Sequence, residues 1–387
     1  MKQILCLSTS NYYPTPTRKQ NIMNRLTDCK VVYVDPPVTL IAPLKDPNAK
    51  AALSAYKKGG EVSAEHPHVL HYAQPPVLPF YNKKRAINRI NQRRLASYLA
   101  KLLRENDFGS DFLLWCYSPM SCDVVAPLAE RLGIPECDLW DRTVYDCVDR
   151  HSAYPGLIDP EVVDAMEEDL ARNAKVVFAT ADGLYERLAA FNPNTHLIPN
   201  GANYELFSRV TELRSAEKQA PVFGYVGAFQ ECIDYGFIRS VAAAFPQAEI
   251  RMIGRPLPGV DMSWAASYGN VKIHAPVPQK ELPELMKDFD VCINCFVDNN
   301  LSKDVSPLKF YEYLATGIPV VSTQVPLQVQ SFDDCIYMVK EPGMLAEKCR
   351  EALSEPKDSP KRAARLLAAK ECSWEERVKQ MQSILDI

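Results

Sequence analysis

Ser306-Pro-Leu-Lys-Phe-Tyr-Glu-Tyr-Leu-Ala-Thr-Gly-Ile-Pro-Val-Val-Ser-Thr323 changes from a helical pattern to a strand-like one within eighteen residues. Pro307 stands where a helix accepts proline, at its first turn, and Gly317 stands just past the expected end, so residues 308–316 are predicted to form a short helix. Residues 318–322 are predicted to follow as a buried strand. Ser306 is placed to cap the helix, and its open N–H groups together with Lys309 form a positive socket suited to a phosphate. Glu312 lies one turn further on the same face as Lys309. A cation beside a diphosphate and a carboxylate accepting from a ribose diol would hold a nucleotide at a helix start. The same spacing also suits an i,i+3 ion pair on a capped surface helix, an alternative the residues leave open.

Working outward, 387 residues are enough for about two α/β domains, each with its own core. Apolar residues make up 47% and charged residues 24%, ordinary values for a globular protein, and a net charge of -4 argues against general nucleic-acid binding. The opening Met1-Lys-Gln-Ile-Leu-Cys-Leu-Ser has too short an apolar run for a signal peptide and reads as a first strand. No run approaches the ~18 apolar residues of a membrane span, so a cytoplasmic protein is expected, at most peripheral at the inner face of the membrane. The 12 cysteines are scattered through apolar runs, as buried, reduced thiols are. Cys292 and Cys295 form a C-x-x-C without a second pair, so no metal is expected.

Strand-like and helix-like runs alternate as in a parallel sheet. Strands are predicted at 3–8, 30–35, 68–73, 111–117, 142–147, 175–180 and 196–199, then at 222–229, 249–253, 271–274, 290–296, 319–323 and 335–339. The first strand is followed by a polar, aromatic loop in place of a G-x-G-x-x-G turn, so the first domain is not expected to hold a dinucleotide and suits an acceptor. Residues 40–65 read as an irregular insertion. From Lys83 to Arg104 every charged residue is basic, and Ile87, Ile90, Leu95, Tyr98, Leu99 and Leu102 fall along one face. Such a helix could meet an anionic membrane surface or a lipid-linked diphosphate, or simply cover the sheet with solvated charges. A helix near 164–172 carries an acidic face expected to be solvated.

Val144-Tyr-Asp-Cys-Val-Asp-Arg-His-Ser-Ala-Tyr-Pro-Gly156 runs off a strand end, where open α/β sheets place ligands. Asp149, ahead of Asp146, is the candidate general base, with His151 beside it; acids that cap the following turn are the alternative. In the second half, Gly227 ends the strand of Val222-Phe-Gly-Tyr-Val-Gly-Ala-Phe229 and would let backbone approach a ligand, and Arg255 could support a diphosphate.

The 306–323 stretch resembles the nucleotide-sugar signature K-x-x-E-Y-L-A-x-G-x-P-V-V of GT-B glycosyltransferases, particularly family-4-like enzymes of teichuronic acid and exopolysaccharide biosynthesis. The run 144–156, the junction Ile198-Pro-Asn-Gly201 and the G-Y-V-G-A run resemble the same family. The resemblance implies that Glu312 binds ribose, that Lys309 faces the diphosphate, and that Ser306 and Asp304 border the donor, with Asp304 standing where many relatives have Glu. It also implies that the base lies near Val277. It implies two Rossmann-like domains with parallel sheets facing across a cleft: 1–207 on the acceptor side, 208–370 on the nucleotide-sugar side, and a C-terminal helix at 371–387 packing back toward the first.

The function expected is metal-independent transfer of a sugar from a nucleotide-diphosphate sugar to a glycan or lipid-linked glycan acceptor in bacterial surface polysaccharide biosynthesis, without a cofactor beyond the donor itself. A nucleotide-sugar epimerase or hydrolase on the same fold, or a non-catalytic nucleotide-sugar-binding partner, are the alternatives.

Overall fold

The computed structural model describes residues 1–14, 16–42, 46–153, 156, 158–213 and 220–387. The chain divides into two compact units, Met1–Ile198 with Gln380–Ile387, and Pro199–Lys379. In the first, β1 (Lys2–Leu7), β2 (Cys29–Val34), β3 (Glu61–Val62), β4 (Val69–Tyr72), β5 (Leu113–Cys116), β6 (Thr143–Cys147), β7 (Val176–Ala179) and β8 (Thr195–Leu197) build an eight-stranded sheet in the order β3-β4-β2-β1-β5-β6-β7-β8. Its pairs are parallel except for β3 with β4. In the second, β9 (Val222–Val226), β10 (Glu249–Ile253), β11 (Val271–His274), β12 (Val291–Asn294), β13 (Val320–Thr323) and β14 (Tyr337–Val339) form an all-parallel sheet in the order β11-β10-β9-β12-β13-β14. Continuous apolar runs such as Val31 to Val34 and Val176 to Ala179 are buried because parallel strands are covered on both faces. Every strand expected from the sequence forms, and β3 is added.

Three expectations are corrected. Within the segment read as irregular, residues Pro47–Lys58 form a helix, capped by the Asp46 carboxylate accepting from Asn48 N at 2.8 Å. Asp-Pro is a cap followed by a first-turn proline, a start signal that the surrounding Pro, Lys and Gly obscured. Residues 43–45 of that segment lie outside the described residues, as do 214–219 of the polar run 208–219, whose composition suggests a linker; its residues Val210–Leu213 are helical.

On the helix Arg85–Glu105 the buried face includes Asn88 and Asn91, whereas Ile90 is 48% exposed. Asn91 makes its burial tolerable by accepting from Leu78 N and donating to Leu78 O, and Asn88 donates to Met120 O. Arg85, expected among the solvated charges, is tied to Asp123 at 3.0 Å and Asp169 at 2.5 Å, and Arg89 to Asp123 at 3.6 Å. Arg93, Arg94, Lys101 and Arg104 stay exposed.

The acidic face of the helix Pro160–Asn173 is not all solvated either. Glu167 is fully buried and accepts from Tyr145 Oη and from Arg187 Nη2, each at 2.5 Å. Among the described residues no helix is long and apolar enough to cross a membrane.

Arg18, on the short helix Arg18–Met23, directs its Nε at both carboxylate oxygens of Asp146 at 3.0 Å, with the side chains 1% and 0% exposed. Removing one member of such a pair strands the other charge. Asp146→Ala is therefore expected to cost the first unit about 3–5 kcal/mol, read as a lowered urea midpoint. A loss near zero would show that the pair carries no such load.

Candidate functional site

In the second unit the order of strands reverses between β9 and β12, and the carboxyl ends of strands at such a switch point are where open α/β sheets bind ligands. Gly227 follows β9, Gly254 and Arg255 follow β10, Val277 follows β11, and the helix Leu308–Thr316 joins β12 to β13. That helix has the predicted bounds and ends on Gly317 in the left-handed conformation.

Two glycines make this corner. At Gly227, where φ is +135°, a Cβ would lie 3.2 Å from Cε and Nζ of Lys309. At Gly254 a Cβ would fall 2.0 Å from the carbonyl oxygen of Gly227, so no side chain fits where the two loops pass. The close approach brings Lys309 over the end of β9. Its Nζ donates to Tyr225 Oη at 2.5 Å, 4.2 Å from the centroid of that ring and 5.5 Å from that of Phe296. A cation held on aromatic faces is attracted by the rings without being neutralised.

Glu312 accepts at Oε1 from Gln279 Nε2 at 2.7 Å. Among the described residues no ion pair joins Lys309 to Glu312, so the simple surface pair allowed by their spacing does not form. Burial pushes Lys309 down to about 8. Burial pushes Glu312 up to about 7, against the Gln279 hydrogen bond and the nearby lysine. Both groups are thus held close to titration at neutral pH, with hydrogen-bonding capacity still to be used.

Ser306 does not cap the helix. The capping position is Pro307, without a side-chain hydrogen bond, while the buried Ser306 hydroxyl accepts from Asn200 N at 3.0 Å and its carbonyl from Asn200 Nδ2 at 2.7 Å. Among the described residues no side chain caps the first N–H groups of the helix, and the junction residue Asn200 fixes where the helix begins. Arg255 is exposed, and its backbone carbonyl accepts from Phe229 N at 2.9 Å. Val277 is half-buried against the cluster containing Leu282 and Met286, and half-buried Asp304 ends the short helix Asn300–Lys303. Sequence reasoning missed Tyr225, Gln279 and Asn200. Tyr225 lay in plain view inside the G-Y-V-G run, but nothing in that run announces a seat for a lysine from a helix 84 residues later.

In the first unit a cavity of about 440 Å³ opens at the carboxyl ends of β1, β5 and β6, where that sheet also reverses order. Asp149 and His151 line it together with Ser10, Lys19, Tyr81 and Ser118. The His151 Nε2 lies 3.2 Å from Tyr117 O, and burial lowers its pKa, so a neutral ring donates there. Asp146 is corrected as a candidate base: it is fully buried in its pair with Arg18 and does not line the cavity.

Residues 235–383 match the family described as glycosyl transferase-like. A Bacillus subtilis strain 168 protein named as a teichuronic acid biosynthesis glycosyltransferase, TuaH, is 26% identical over 262 residues, covering 61% of this chain and 64% of that protein. The whole chain superposes on sucrose-phosphate synthase from Thermosynechococcus elongatus with a TM-score of 0.70 at 15% identity, covering 98% of it. It also superposes on Anabaena HepE in complex with UDP-glucose, with a TM-score of 0.64 at 16% identity and full coverage of both chains. The chain shares the GT-B fold of these solved structures, and its residues 235–383 are similar to glycosyltransferases. The matched segment takes in Gly254, Gln279, Lys309 and Glu312 but begins beyond Gly227, and the first-unit cavity lies outside it.

Gly227→Ala would force both an unfavourable backbone angle and a displaced lysine. The expected cost is about 1–3 kcal/mol in the stability of the second unit, whereas Gly269→Ala, where a Cβ meets open space, should be nearly neutral. Equal denaturation midpoints for the two variants would contradict the packing described.

Proposed function

We propose that the chain transfers a sugar from a nucleoside-diphosphate sugar to a glycan or lipid-linked glycan acceptor during assembly of a bacterial surface polysaccharide. The observation that carries this reading is Lys309, half-buried on the face of Tyr225 beside Gly227, with Glu312 one helical turn away. The name of TuaH supports a polysaccharide, and the UDP-glucose in HepE makes uridine diphosphate the first nucleotide to try.

On this reading the diphosphate sits against Lys309 and the uncapped start of the Leu308–Thr316 helix, and the ribose hydroxyls donate to Glu312. As the bond to the anomeric carbon breaks, negative charge grows on the departing diphosphate. A preoriented ammonium and backbone N–H groups stabilise that charge more than they stabilise the bound donor, which lowers the barrier. Asp149 takes the proton of the acceptor hydroxyl as the new glycosidic bond forms.

The pH dependence of nucleotide binding follows from the two shifted groups. A bound diphosphate raises the pKa of Lys309, so the contribution of its charge is full below about 8 and fades as pH rises beyond that. Glu312 must be ionised to accept from a diol, and its contribution fades as pH falls below about 7. UDP affinity, measured by calorimetry, should therefore peak between the two, and Lys309→Arg, which cannot deprotonate, should lose the alkaline decline. An alkaline decline unchanged in that variant would remove Lys309 from the diphosphate site.

UDP at a hundred times its dissociation constant should add about 2.7 kcal/mol of stability, and Glu312→Ala should weaken that response. With acceptor present, Asp149→Asn should slow transfer by about 10²–10⁴ while donor binding is retained. An isomeric nucleotide-sugar formed without acceptor would instead identify an epimerase, and free sugar a hydrolase.

A further inference from the structure

The first-unit cavity contains a charge the transfer step does not use. Lys19 is 6% exposed and lines the cavity, yet among the described residues no hydrogen bond or ion pair reaches its ammonium; its nearest described stabilisation is the ring of Tyr117, 5.6 Å away. Its neighbour in sequence, Arg18, is already matched to Asp146 through both carboxylate oxygens. Burial lowers the pKa of Lys19, and the largest opposing influence is Asp149, on the same cavity wall, although the two are not in contact as an ion pair. A desolvated ammonium without a counter-ion is costly, and proteins keep such groups where a ligand completes them.

The cavity thus presents two different chemistries at separate points: a cation at Lys19 and a carboxylate at Asp149. The rest of the wall is largely uncharged, with Ser10, Tyr81 and Ser118 among its polar groups. About 440 Å³ accommodates a sugar unit with a substituent. A neutral sugar would leave Lys19 as it is. A sugar with an acidic group would satisfy the ammonium and could turn a hydroxyl toward Asp149.

We propose that this cavity takes an acceptor sugar bearing an acidic group, a phosphate or a carboxylate, which Lys19 anchors while the accepting hydroxyl faces Asp149. The proposal rests on the transferase reading for the word acceptor, but the binding of an anionic sugar can be measured without any transfer. Binding of glucose 1-phosphate, glucuronate and glucose to the full chain would be followed by calorimetry, in the parent, Lys19→Met and Lys19→Arg.

At least tenfold tighter binding of one or both anionic sugars over glucose is expected in the parent. Lys19→Met should abolish the preference and Lys19→Arg should keep it, while UDP affinity stays within twofold in both. Preference for glucose 1-phosphate alone would assign a phosphate, for glucuronate alone a carboxylate. Lys19→Met should also melt no lower than the parent, because it removes a buried charge that no ion pair among the described residues holds; a lower melting temperature would reveal a structural counter-ion and overturn the proposal. Equal affinity for glucose and both anionic sugars in the parent would overturn it as well. Anionic-sugar binding that depends on Lys19, without consumption of any nucleotide-sugar, would leave the anion site standing and remove the transferase reading alone.

Discussion

A half-buried ammonium that pairs with no carboxylate among the described residues governs the second unit. Lys309 rests on Tyr225 because Gly227 leaves room for it and because Gly254 lets the neighbouring loop pass against Gly227. Either glycine replaced by a larger residue would move the cation away from the strand ends. The helix that carries Lys309 starts at an uncapped proline turn, and that turn is held by both backbone and side chain of Asn200. The arrangement keeps positive potential aimed at one small region, at a cost in desolvation visible in the depressed pKa of the lysine. Such stored cost is ordinary at binding sites and unusual in a purely structural helix.

The first unit uses a related device with different parts. There the acid next to the cavity, Asp146, is consumed by Arg18, and the groups left on the wall are Lys19 and Asp149. In each sheet the polar groups collect where the order of strands reverses, because neighbouring loops there diverge to opposite faces and open a crevice. The two parallel sheets therefore supply a location, and the loops supply chemistry.

Strand positions were legible in the sequence because parallel strands buried on both faces are continuous apolar runs, and the Leu308–Thr316 helix was legible because proline and glycine punctuate it. The pairing of Lys309 with Gly227 could be anticipated only as two members of one family pattern. Their contact, and the roles of Tyr225, Gln279 and Asn200, arise from residues distant in sequence that local propensity cannot connect. Charge was the least legible feature. Arg85, Asp146 and Glu167 each looked like a solvated or reactive group and proved to be paired, the last two in the interior, since a sequence shows a charge but not its counter-charge. The helix Pro47–Lys58 was missed for a simpler reason: its cap was embedded in turn-like residues.

The central claim is that Gly227, Lys309 and Glu312 together form the seat of a nucleoside diphosphate. A crystal structure of the chain soaked with UDP tests it most directly. The account predicts the diphosphate within hydrogen-bonding distance of Lys309 Nζ and the first N–H groups of its helix, with both ribose hydroxyls on Glu312. UDP bound elsewhere on the chain, with Lys309 still closed on Tyr225, would contradict it.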